Sequence, residues 1–124
     1  MEQFKQIIMT SEFEDLIEEA YSAFNARDID SALQHMHEDV QWPNGWEGGY
    51  IIGRHGVRNY WTRQWKEINP KVIPVSFNEK QNGEIEVTVH QTVKDQHDSL
   101  LFDGMVKHIY TFANGKIKSL EIVK

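Results

Sequence analysis

The chain has 124 residues, 40% of them hydrophobic and 26% charged, and no cysteine. That composition fits one globular domain with a single core and excludes disulfides and thiolate metal sites. The balance of 13 Lys and Arg against 19 Asp and Glu, net −6, with basic residues scattered along the chain, argues against a nucleic-acid surface. No stretch reaches membrane-span length, and Met1–Thr10 lacks the basic-then-apolar order of a secretory signal, so the expectation is a cytoplasmic protein without membrane contact.

Ser11 and Glu14 have the spacing of a capping box, and Phe13, Leu16, Ile17, Ala20 and Phe24 follow at helical period, predicting a first helix. Residues 1–11 then form an N-terminal extension. Asn25-Ala26-Arg27 breaks the helix, and Asp28 caps a short second one with Ile29, Ala32, Leu33 and Met36 on its buried side. Glu38-Asp39 ends it, and Val40-Gln41-Trp42 is a strand stopped by Pro43. Asn44–Gly49 holds three glycines around Trp46 and reads as a flexible flap, with Tyr50-Ile51-Ile52 a second short strand. Gly53 opens a third helix with Val57, Trp61, Trp65 and Ile68 on one face and Tyr60 beside them, ended by Asn69-Pro70. Its basic residues, Arg54, Arg58, Arg63 and Lys66, read as a solvated edge.

The remainder is sheet. Val72–Asn78 contains Pro74, which suggests an edge or a bulge. Glu84–Lys94 alternates, with Ile85, Val87, Val89, Gln91 and Val93 on one face. Leu101–Phe112 puts Phe102, Val106, His108, Tyr110 and Phe112 on one face. Asn114-Gly115 is a two-residue hairpin turn leading into Lys116–Val123. Counting from that turn pairs Phe112 with Ile117, Tyr110 with Ser119 and His108 with Glu121. Matching apolar faces puts His108 opposite Val87 and Tyr110 opposite Ile85. The count leaves Met105, Ile109, Leu120 and Ile122 on the outer face, too apolar for solvent. Either a bulge turns Leu120 and Ile122 inward, or a partner chain covers that face.

The segments Tyr21–Asp30 (YSAFNARDID), Glu38–Pro43 (EDVQWP), Gly53–Trp65 (GRHGVRNYWTRQW) and His108–Ile117 (HIYTFANGKI) resemble, in order and spacing, the SnoaL-like branch of the nuclear transport factor 2-like superfamily, whose members include polyketide cyclase-related proteins. The resemblance covers residues 12 to 123. It implies an α+β fold, a cone-shaped barrel in which three helices of the N-terminal half pack on a strongly curved, mixed, mainly antiparallel sheet. It also implies a deep pocket and a homodimer through the outer sheet face. Residues 1–124 would then be a single domain of this type. The ketosteroid isomerases of the superfamily place a general-base aspartate just before the proline that follows the first short strand; that place is held here by Trp42, which takes no proton. Ala20 stands where their oxyanion-hole tyrosine lies in helix one, and His108 where their protonated aspartate lies. Isomerase chemistry of that kind is therefore not expected, but an inward-facing His108 is.

His108 is the candidate catalytic residue, because imidazole titrates near neutral pH. Ligand contact and a structural hydrogen bond are its alternatives, with Glu121 or Gln91 as orienting partner. Tyr110 is placed to donate to a ligand oxygen. Trp42, Trp46, Tyr50, Trp61 and Trp65 supply an aromatic box or ordinary core, with Trp46 at the pocket mouth. His35 and His37 point apart on a helix, and His55, His90 and His97 are dispersed, so neither a metal nor a cofactor is expected. The function this suggests is binding of a small hydrophobic, oxygenated molecule, with isomerase, cyclase or dehydratase activity. A non-catalytic binding module or a dimerising accessory domain is the alternative.

Overall fold

The computed structural model describes residues 2–123, with side chains from 12 to 123. The elements run α1 (Glu2–Asn25), α2 (Ile29–Gln34), β1 (Met36–Pro43), β2 (Tyr50–Ile52), α3 (Arg54–Glu67), β3 (Ile68–Glu79), β4 (Ile85–Asp95), β5 (Leu100–Ala113) and β6 (Lys116–Val123). The six strands form one sheet in the order β2-β1-β6-β5-β4-β3, with β1 and β6 parallel and the other neighbours antiparallel. The sheet stays open between its edge strands, and α3 packs against both β1 and β3. Among the described residues no helix is long and apolar enough to cross a membrane.

Local chemistry explains most boundaries. The break after α1 is real: Arg27 has φ 63, a left-handed turn that stops the helix, and its guanidinium bonds the carbonyls of Phe24 and Pro70. Asp28 caps α2 by accepting from the Ser31 amide at 3.2 Å. Asn114 and Gly115, with φ 54 and 75, make the tight β5–β6 turn. Pro74 meets both of its expected settings, since β3 is an edge strand and its register shifts between Pro74 and Ser76.

Three boundaries differ from expectation. Ser11 does not cap a helix, because α1 runs through it from Glu2. Met36 is on β1, not α2, which stops at Gln34; it pairs with Ile117 of β6 and is buried there. β3 begins directly after α3 at Ile68, with Pro70 already inside the strand.

Among the described side chains of α1, Ile17 and Tyr21 are buried in the core, with Phe13, Leu16 and Phe24 packed against it. There they meet Leu33 of α2, Val57 and Trp61 of α3, and the inner faces of β4, β5 and β6. The β4–β5 register places His108 opposite Val87 and Tyr110 opposite Ile85, as the apolar match requires. The β5–β6 register departs from simple counting. Phe112 pairs with Ile117, but Thr111 pairs with Ser119, so Lys118 is an extra residue on β6. One inserted residue exchanges the faces of everything beyond it. Tyr110 now pairs with Leu120 and His108 with Ile122. Leu120 is buried, while Glu121, paired with Ile109, points to the outer face.

Candidate functional site

Between the helices and the concave side of the sheet lies a cavity of about 350 Å³. Its floor is made by buried residues of α1, α3 and the sheet, among them Tyr21, Trp61, His108, Tyr110 and Leu120. Its exposed lining residues, Gly45, Phe102 and Ile122, mark the mouth. Period 2 along β5 directs Phe102, His108 and Tyr110 to the same side, so one strand spans the cavity from mouth to floor.

The floor carries a hydrogen-bond chain. Tyr110 Oη donates to Tyr21 Oη at 2.8 Å, and Tyr21 Oη lies 2.8 Å from His108 Nδ1. Tyr21 receives the Tyr110 proton, so its own proton points to Nδ1. The opposite tautomer, with the proton on Nδ1, would leave the buried Tyr21 hydroxyl hydrogen without an acceptor, which costs about 1–3 kcal/mol. The chain therefore places the imidazole proton on Nε2. Among the described residues that atom has no hydrogen-bond partner, and it is open to the cavity. Burial lowers the His108 pKa to about 4, so the ring is neutral at pH 7. Burial raises both tyrosines above the usual phenol range, Tyr21 well above it, so both stay protonated. The net result is a neutral donor, Nε2–H, held in place by two phenols and directed into an apolar space.

Two amides join it. Gln91 lines the cavity, and among the described residues its side chain has no hydrogen-bond partner. Gln64 donates to Tyr60 Oη at 3.3 Å, and Tyr60 also receives the Gly45 amide at 3.1 Å.

Of the residues expected at the site, the structure brings His108, Tyr110, Gln91, Trp42 and Trp61 to the cavity lining. Trp42 and Trp61 meet edge to face, with ring centroids 5.5 Å apart. Four expected residues lie elsewhere. Glu121 is turned to the outer face by the extra Lys118, where both of its oxygens accept from Tyr50, so neither Glu121 nor Tyr50 reaches His108 or the cavity. Trp65 stacks behind Trp61 at 5.6 Å, under the Arg27 guanidinium, with its buried Nε1 unpaired. Trp46 is 43% exposed and leans on Tyr60 and Arg63 outside the lining. Its loop is tied down, not free: Asn44 Oδ1 accepts from the amides of Trp46 and Glu47. Tyr21 is the residue the sequence reading missed. It sits four positions after Ile17 and three before Phe24, on the apolar stripe of α1, and that spacing was the available signal.

No curated protein matches the chain. Several solved structures share its fold. An NTF2-like protein of unknown function from Burkholderia pseudomallei is 23% identical, with 90% of this chain and 88% of that one covered and a TM-score of 0.78. TerC, co-crystallised with polyporic acid, is 24% identical over 90% of each chain, with a TM-score of 0.79. A protein with a ketosteroid isomerase-like fold from Catenulispora acidiphila, in complex with trimethylamine, is 11% identical over 88% of this chain and 84% of that one, with a TM-score of 0.75. At these identities the likeness is one of fold. The model of the SnoaL-like domain matches residues 17–120, from Ile17 of α1 through Leu120 of β6, and the chain belongs to that family.

Proposed function

We propose that the chain is a small-molecule-binding protein whose cavity takes a hydrophobic, oxygenated molecule. Its oxygen would accept from His108 Nε2–H, while Trp42, Trp61 and Phe24 cover the apolar part. The observation that carries this reading is the unpartnered Nε2 opening on the cavity from a residue only 6% exposed. A donor that faces an otherwise apolar cavity takes its partner from within that cavity, a ligand oxygen or a water. TerC, a neighbour in fold, has been co-crystallised with a small molecule, which is consistent.

If there is chemistry, His108 acts as an electrophile. A neutral imidazole that donates to a carbonyl draws electron density from the adjoining carbon, the opening step of isomerisation, dehydration and cyclisation. General-base work by His108 is disfavoured, since a proton already sits on Nε2. Among the described residues no aspartate or glutamate lines the cavity to replace it. That absence favours a second reading, non-catalytic binding in the same cavity. Denaturing extraction and mass spectrometry of the purified protein tests the shared part. One apolar, oxygenated compound near equimolar amount is expected in the unmodified protein and depleted in His108→Asn. Equal recovery from both would count against the role of His108.

The reading includes a homodimer through the outer sheet face. Leu120 and Ile122 leave that face with the β6 bulge, but Ile73 and Met105 remain exposed on it, with half-buried Ile109 and exposed Val123. Ile109→Asp should convert dimer to monomer in sedimentation, because pairing would bury an unpaired charge. A monomeric unmodified protein at tens of micromolar would refute it.

A further inference from the structure

We infer that the cavity accepts only uncharged molecules and rejects ionised ones of the same shape; this rests on the ligand-binding reading above. Among the described residues, no Asp, Glu, Lys or Arg lines the cavity. Its titratable groups are also uncharged near neutrality. His108 stays neutral until about pH 4, and Tyr21 and Tyr110 are protonated and bonded to each other. The polar atoms that the described lining offers a ligand include His108 Nε2–H and the Gln91 and Gln64 amides, all neutral and matched to a ketone, ester, ether or alcohol oxygen.

An ionised ligand would leave water and meet no counter-charge inside. Neutral hydrogen bonds do not replace the hydration of a carboxylate, sulfonate or ammonium. The charges on the loop and helix flanking the mouth do not help. Arg63 is paired with Glu47 at 3.3 Å and lies over the Trp46 ring, and Glu121 is held by Tyr50 on the outer face. A protein of net charge −6 adds a weak, screened repulsion of anions. The selection therefore comes from absent charge, and it is built into residue choice on five strands and two helices at once.

The test uses two dyes of one shape that differ by a sulfonate, phenylnaphthylamine and anilinonaphthalene sulfonate. Both are titrated by fluorescence into the full chain near neutral pH. The neutral dye is expected to bind saturably and at least tenfold more tightly than the anion. Ala20→Trp, which fills the floor, should abolish that binding; should this variant fail to fold, Ile122→Trp at the exposed mouth serves instead. Binding that a filling variant leaves untouched is surface adsorption and counts as no cavity binding. Cavity binding of the sulfonate as tight as that of the neutral dye would overturn the selection and leave the ligand-binding reading intact. Failure of both dyes to enter the cavity would overturn both.

Discussion

Acid should destabilise this protein through one buried imidazole. Burial holds the His108 pKa at about 4, whereas histidine in an unfolded chain titrates near 6.5. As pH falls below about 6.5 the unfolded chain takes up a proton that the folded chain refuses. Stability is therefore complete above that pH, is lost as pH falls, and the loss levels off once the folded pKa of about 4 is passed. Between about pH 7.5 and 4.5 the loss assigned to this group is on the order of 2–3 kcal/mol. For a domain of this size that lowers the melting temperature by about 10 °C. Carboxylates titrate over part of the same range, so the comparison must be internal. Thermal unfolding followed by circular dichroism is measured for the unmodified chain and for His108→Asn at both pH values. The variant should be less stable at the higher pH, where the Tyr21 hydroxyl loses its acceptor. It should then lose roughly 2–3 kcal/mol less on acidification. Equal losses in the two proteins would mean that His108 is not a buried neutral ring, and the donor assigned to the cavity would go with it.

Three further outcomes follow from named contacts. Tyr21→Phe removes the link between Tyr110 and His108 and leaves two buried polar groups unpaired; denaturant unfolding should show a loss of about 1–3 kcal/mol, and nitrogen NMR a histidine no longer held in one tautomer. Leu120→Ala should cost about 2–5 kcal/mol while Glu121→Ala stays within about 0.5 kcal/mol; the reverse order would restore the simple β6 register. At Gly104 an added Cβ would meet the Phe102 ring at 3.0 Å, so Gly104→Ala should push that ring at the mouth and change the entry and release rates of a bound dye by a few fold, with stopped-flow fluorescence as the readout.

Most of the fold was legible because its signals are local and mutually consistent. Asp28 caps what it was read to cap, Asn114-Gly115 turns where it must, and the alternation of β4 and β5 locks His108 against Val87. The α2–β1 junction was not, because Leu33, Met36 and Val40 keep the helical spacing i, i+3, i+7 straight through it, and the even step from Met36 to Val40 fits a helix and a strand alike. At the site, the tryptophans divide by what lies behind them. Trp61 faces the cavity and Trp65, one turn on, faces Trp61 and Arg27, a difference that helical spacing alone does not encode.

The decisive ambiguity was a single residue. Without Lys118 as an insertion, His108 would face Glu121, and a histidine beside a carboxylate in a cavity is a proton shuttle with a raised pKa. With it, His108 faces Ile122, the carboxylate is outside with Tyr50, and the histidine pKa falls instead of rising. The surplus of apolar residues on the outer face was the trace of this in the sequence, since a strand that places Leu120 and Ile122 in solvent lacks a reason to hold its register. What the bulge leaves at the floor is a polarising donor among phenols and aromatic rings. The same change that removes the nearest negative charge from the histidine also removes it from the ligand, so the chemistry open to His108 and the neutrality demanded of its ligand have one structural cause.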